Sequence, residues 1–91
     1  MAEDNTIYIG AKPTMNYVLA LITQFHGNIN SVTVKARGKS ITKAVDVVEI
    51  ARSKFLKEIK PTEILIKTEE MKTESGTRSV SAIEIKVEKS A

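Results

Sequence analysis

Cysteine and tryptophan are absent from the 91-residue sequence, and histidine occurs once. Without cysteine there is no disulfide framework, no thiolate nucleophile and no cysteine-based zinc site. A lone histidine, His26, excludes a histidine-rich metal site. Long apolar runs are missing too. The longest aliphatic stretch, Val18–Ile22, falls far below the ~20 residues that span a bilayer. The N-terminal Met1-Ala2-Glu3-Asp4 is acidic and lacks the basic start of a signal peptide. The expectation is a soluble, cytoplasmic protein. Finally, no acidic residue occurs between Asn5 and Val45.

What is present fits one globular domain spanning residues 1–91. Hydrophobic residues make up 42% and charged residues 27%, ordinary values for a folded chain. No repeat, low-complexity tract or linker interrupts it. A chain of this size buries about 60–65% of its unfolded surface, enough for one modest core but not for a deep multi-substrate active site. The net charge of +3 is unevenly spread. The acid-free stretch carries Lys12, Lys35, Arg37, Lys39 and Lys43, whereas the remainder has more acids than bases. A run with four bases and no acid from Lys35 to Lys43 either keeps a solvated face soluble or meets a polyanion.

Periodicity divides the chain into six elements. Ile7-Tyr8-Ile9 is a short β-rich segment ended by Gly10. Thr14 is placed to cap a helix whose apolar positions are Met15, Val18, Leu19, Ile22 and Phe25, with Gly27 as its stop. Val32-Thr33-Val34 reads as a second strand, followed by the loop Ala36-Arg37-Gly38-Lys39. Ser40 is placed to cap a second helix with Ile41, Ala44, Val45, Val48, Ala51 and Phe55 on one stripe, ended by Pro61. Glu63–Lys67 begins a third strand. In the fourth, Val80–Val87, the residues Ile83, Ile85 and Val87 face one way and Ala82, Glu84 and Lys86 the other. The order βαβαββ, with right-handed crossovers, puts both helices on one sheet face. The fold class is therefore α+β, a two-layer α/β sandwich. Residues 68–79 contain one apolar side chain, Met71, and the turn Glu74-Ser75-Gly76-Thr77. They read either as a polar β3–β4 hairpin projecting beyond the core or as a floppy loop.

No catalytic constellation emerges. Arg37-Gly38-Lys39-Ser40 resembles the end of a phosphate-binding P-loop, but Thr33 stands where that motif needs its first glycine. The surviving physics is a helix N-terminus flanked by Arg37 and Lys39, with Gly38 allowing close approach of a phosphate. His26 at a helix end has no partners for nucleophilic catalysis and suits the dipole there. Asp46 and Glu49 pair more naturally with Lys43 and Arg52 than with each other. No enzyme activity, cofactor or metal is expected.

Three blocks carry a family resemblance. Ile9-Gly10-Ala11-Lys12-Pro13-Thr14-Met15-Asn16-Tyr17-Val18 resembles the first loop and helix of the Alba family of archaeal chromatin proteins. Val34-Lys35-Ala36-Arg37-Gly38-Lys39-Ser40-Ile41-Thr42-Lys43-Ala44-Val45-Asp46 is similar to that family's second strand, loop and helix, and Ser81–Ile85 to its last strand. The resemblance implies a body like the C-terminal domain of translation initiation factor 3. It implies a homodimer that binds double-stranded DNA, and often RNA, without regard to sequence. It further implies contacts through Lys12, through Lys35, Arg37, Gly38, Lys39 and Lys43, and through the hairpin residues Lys72 and Arg78. Phe55 falls at the family's contact between adjacent dimers. The first of two lysines before the proline, an acetylation site in the family, is replaced here by Ala11.

The expectation is a chromosome-associated protein that coats and compacts DNA, with counterion release supplying most of the affinity. The alternative is an RNA-binding scaffold.

Overall fold

The β-branched and alternating segments pair into one sheet, and the two segments of helical period cross over it. The computed structural model describes residues 5–90, so the acidic start Met1–Asp4 lies outside the described residues. The chain runs β1 (Thr6–Tyr8), α1 (Thr14–His26), β2 (Ser31–Arg37), α2 (Ser40–Ile50), β3 (Ile59–Thr73) and β4 (Gly76–Lys89). A π-helical turn, Ala51–Phe55, continues α2. The strands lie in the order β1-β2-β4-β3. β1 is parallel to β2, while β2 and β3 each run antiparallel to β4. This is the expected α+β sandwich with βαβαββ order.

The core forms where the alternation of β2 and β4 meets the two helices. Val32, Val34, Ile85 and Val87 are buried from the sheet, with Val18, Leu21, Phe25, Ala44, Val47, Val48 and Ala51 from the helical layer. Period two fixes which strand residues point inward. Thr33, Lys35, Glu84 and Lys86 accordingly lie on the other face, which no helix covers.

Several local expectations are corrected. In α1 the buried residue is Leu21, whereas Leu19 is 57% exposed and Met15 is exposed as well. The residues Tyr17 to Ile22 are apolar all round, so spacing alone does not orient this helix, and packing selects the 18/21/25 stripe. In α2 the inward residue is Val47, while Val45 points outward. Neither Thr14 nor Ser40 caps a helix: each is a first helical residue, the N-cap positions are Pro13 and Lys39, and neither end has a side-chain cap. β2 extends through Ala36 and Arg37 because β4 pairs with it as far as Arg37↔Ala82. Pro61 does not end α2. It sits in edge strand β3 beside a register irregularity, where a missing N–H is tolerated.

The polar segment is ordered as a hairpin. β3 and β4 stay in register to Thr73↔Gly76. Beyond Ala82 they pair only with each other, leaving a two-stranded ribbon about 20 Å long at ~3.3 Å per residue. It stretches the molecule to 47 × 28 × 19 Å. Ile59, at the start of β3, is buried in the core, but further along the strand Ile64 and Ile66 remain 61% and 74% exposed although their partners Ile85 and Ile83 are buried.

From this packing, Leu21→Ala is expected to cost ~2–5 kcal/mol, as for a buried leucine, whereas Leu19→Ala stays within about 0.5 kcal/mol. Denaturant unfolding of the two variants measures the difference.

Candidate nucleic-acid interface

Because β1 and β2 are parallel and each runs into a helix, the N-termini of α1 and α2 lie at the same end of the sheet. Neither first turn contains an acid or a capping side chain. The free N–H groups at both ends therefore present partial positive charge to solvent. Gly38 takes the left-handed conformation, φ 54°, that turns β2 sharply into α2. Its N–H donates to the Ser81 carbonyl at 2.8 Å, which ties this turn to β4. Arg37 and Lys39 flank it, and both are exposed.

The loop between β1 and α1 is drawn to the same place by two side chains. Lys43 Nζ, from the first turns of α2, donates to the carbonyls of Gly10 at 2.9 Å and Lys12 at 2.7 Å. The Tyr17 hydroxyl accepts the backbone N–H groups of Gly10 at 2.9 Å and Lys12 at 3.2 Å. The Lys43 ammonium also lies 5.9 Å from the Tyr17 ring centre, within cation–π range. Lys43, expected to meet nucleic acid, directs two of its three donors to the loop that carries Lys12. Tyr17, expected only to pack its helix, organises that loop. The contacts join residues up to 33 positions apart. Only the position of Tyr17 soon after Gly10-Ala11-Lys12-Pro13 hints at them in sequence.

The remaining cations are placed by strand register. Lys35 and Arg37 share the open face of β2. Lys35 lies 3.8 Å from Glu84, and Arg37 lies 3.5 Å from Glu69. Lys67 bridges both acids, at 2.8 Å to Glu84 and 3.7 Å to Glu69. The hydrogen bond with Lys67 holds the Glu84 carboxyl below its usual range, and the same bond raises the Lys67 ammonium. Such partly exposed pairs exchange readily with other anions, since each is worth ~0–1 kcal/mol. Among the described residues no ion pair involves Lys39.

The hairpin cations are not brought to the loop cluster. Lys72 pairs across the ribbon with Thr77 and Arg78 with Met71, so the two side chains project from opposite ribbon faces. Arg78 continues the face of Lys67 and Glu69, whereas Lys72 continues that of Ile64 and Ile66. Phe55, at the end of the π-helical turn, is 50% exposed.

Comparison with known proteins agrees with this geometry. The sequence model of the Alba family matches residues 5–68. A Thermoplasma volcanium protein named DNA/RNA-binding protein Alba is 56% identical over 85 residues, covering 93% of this chain and 96% of its own. An Archaeoglobus fulgidus relative, DNA/RNA-binding protein Alba 1, is 52% identical, covering 93% of this chain and 94% of its own. The solved structure of Alba from Thermoplasma volcanium superposes with a TM-score of 0.90 at 53% identity, over 93% of this chain and all of that one. The crystal structure of ALBA1 from Trypanosoma brucei shares the fold, with a TM-score of 0.79 at 23% identity, over 99% of this chain and 73% of that one. The chain belongs to the Alba family.

The clamp on the first loop is directly testable. Lys43→Met is expected to lower stability by about 1–3 kcal/mol and to speed amide exchange at Gly10 and Lys12. Unchanged exchange at both amides would mean the loop is held without Lys43.

Proposed function

We propose that this chain binds double-stranded DNA without sequence preference, coating and compacting the chromosome in the cytoplasm as a homodimer. The observation that carries the reading is the end of the sheet where two uncapped helix N-termini meet Lys12, Arg37 and Lys39. That end belongs wholly to the acid-free half of the sequence. Backbone N–H groups and flexible cations suit phosphates, and they do not form an array that reads base edges. The names of the relatives, DNA/RNA-binding protein Alba, support a nucleic-acid partner. They also favour RNA as an alternative partner, so the DNA titration is matched with duplex RNA.

The bare strip on β3 supports the homodimer. Ile64 and Ile66 lie on the same face as the core yet beyond its helices, and edge strands with exposed apolar residues invite pairing. A closed two-fold contact between copies covers such a strip. Phe55 then remains for contact between neighbouring dimers on DNA.

Three measurements test this. Lys39→Ala is expected to weaken binding to unrelated duplexes equally and to lower the slope of log affinity against log salt by about one. Loss on one sequence alone, or an unchanged slope, contradicts phosphate binding there. Phe55→Ala is expected to leave a folded dimer, with far less than the ~3–5 kcal/mol loss of a core phenylalanine, yet to bind DNA with reduced cooperativity. A monomeric mass for the unaltered protein by light scattering at micromolar concentration contradicts the dimer.

A further inference from the structure

The open face of the sheet holds a groove that shares Arg37 with the proposed duplex surface but otherwise lies apart from it. It has a volume of about 530 Å³ and is bordered by Tyr8, Lys35, Arg37, Lys67, Glu69 and Glu84. That volume lies within the ~300–1,000 Å³ typical of small-ligand sites. Tyr8 is 69% exposed, the most exposed aromatic of the described chain, and pairs in register with Lys35, whose ammonium lies 5.8 Å from the ring centre. Strand alternation offers a reason for a residue at this position to be polar, but none for a bare aromatic ring.

The charges around the ring alternate rather than accumulate: Lys35, Glu84, Lys67, Glu69 and Arg37 form one continuous chain of ion pairs. Two carboxylates here repel the phosphate backbone of a duplex, whose bases keep their Watson–Crick edges paired. An unpaired nucleotide differs. It carries a phosphate for Lys35 or Arg37, a π-face for Tyr8, and N–H donors on its Watson–Crick edge that a carboxylate accepts. The half-exposed ion pairs open at little cost to admit it.

We propose that this groove is a binding site for one unpaired nucleotide of a single-stranded RNA or DNA segment, stacked on Tyr8 with its base edge toward Glu84 or Glu69. The proposal rests on the nucleic-acid reading above and assigns a separate surface to the single-stranded form. Lys35 and Arg37 stand between the two surfaces, so a strand leaving a duplex on the loop cluster passes directly onto the groove.

The test is a titration of a mixed-sequence, unstructured 12-nucleotide RNA, the matching single-stranded DNA and the matching DNA duplex against the full chain and its variants. Tyr8→Ala and Tyr8→Leu are expected to weaken single-strand binding at least about fivefold, as for loss of one stacked base, with duplex affinity held within twofold. Tyr8→Phe keeps the ring and is expected to bind like the unaltered chain. Single strands are also expected to quench tyrosine fluorescence in the unaltered chain and not in Tyr8→Phe, whose remaining tyrosine, Tyr17, is engaged with the first loop. The RNA and DNA arms identify which strand is preferred. Equal losses for single strand and duplex, full single-strand affinity in Tyr8→Leu, or no single-strand binding by the unaltered chain would each overturn the proposal. The duplex arm reads the underlying function independently: loss of the groove alone leaves duplex binding and its salt slope intact.

Discussion

Both crossovers in this fold close over the same face of the sheet, and the shared position of the two basic loops follows from that constraint. A parallel β1–β2 pair with right-handed connections can put α1 and α2 only side by side. Their N-termini therefore share one end, their apolar stripes share one core, and the opposite sheet face stays wet. Lys43 and Tyr17 make the arrangement rigid where it counts. They satisfy both the carbonyls and the N–H groups of the first loop, so Lys12 is presented from a fixed backbone rather than from a flexible turn.

Two electrostatic regimes result from this geometry. At the helix ends positive charge accumulates, because neither first turn carries an acid and Gly38 brings Arg37 and Lys39 together. On the open face the cross-strand register interleaves Lys35, Lys67 and Arg37 with Glu84 and Glu69. The first regime suits a sequence-independent polyanion. The second suits a ligand with both negative charge and hydrogen-bond donors. One net charge of +3 conceals both, which is why composition alone points only to a polyanion.

Much of the fold was legible because period two and turn chemistry are local signals. The alternation of Ile83, Ile85 and Val87 defined the buried face of β4, and Ser75-Gly76 announced the hairpin. Helix orientation was less legible. Tyr17–Ile22 is apolar on all sides, and only packing against β2 and α2 distinguishes Leu21 from Leu19. Thr14 and Ser40 fall one residue too late to cap, because Pro13 and Lys39 occupy the N-cap positions. Within the site, the basic loop around Gly38 was visible as a charge run. The roles of Lys43 and Tyr17 were not, since their contacts depend on tertiary approach. The separation of Lys72 from Arg78 likewise depends on register, where a shift of one residue reverses every facing.

The central claim is that the paired helix N-termini and their two basic loops form the surface that meets duplex DNA. Backbone amide chemical shifts recorded during titration with a short duplex of arbitrary sequence test it most directly. The account predicts the largest changes at residues 10–12 and 37–41, unchanged in pattern for a second, unrelated duplex. Changes concentrated on the outer side of α1 around Leu19 and Thr23, with the two loops unaffected, would contradict it.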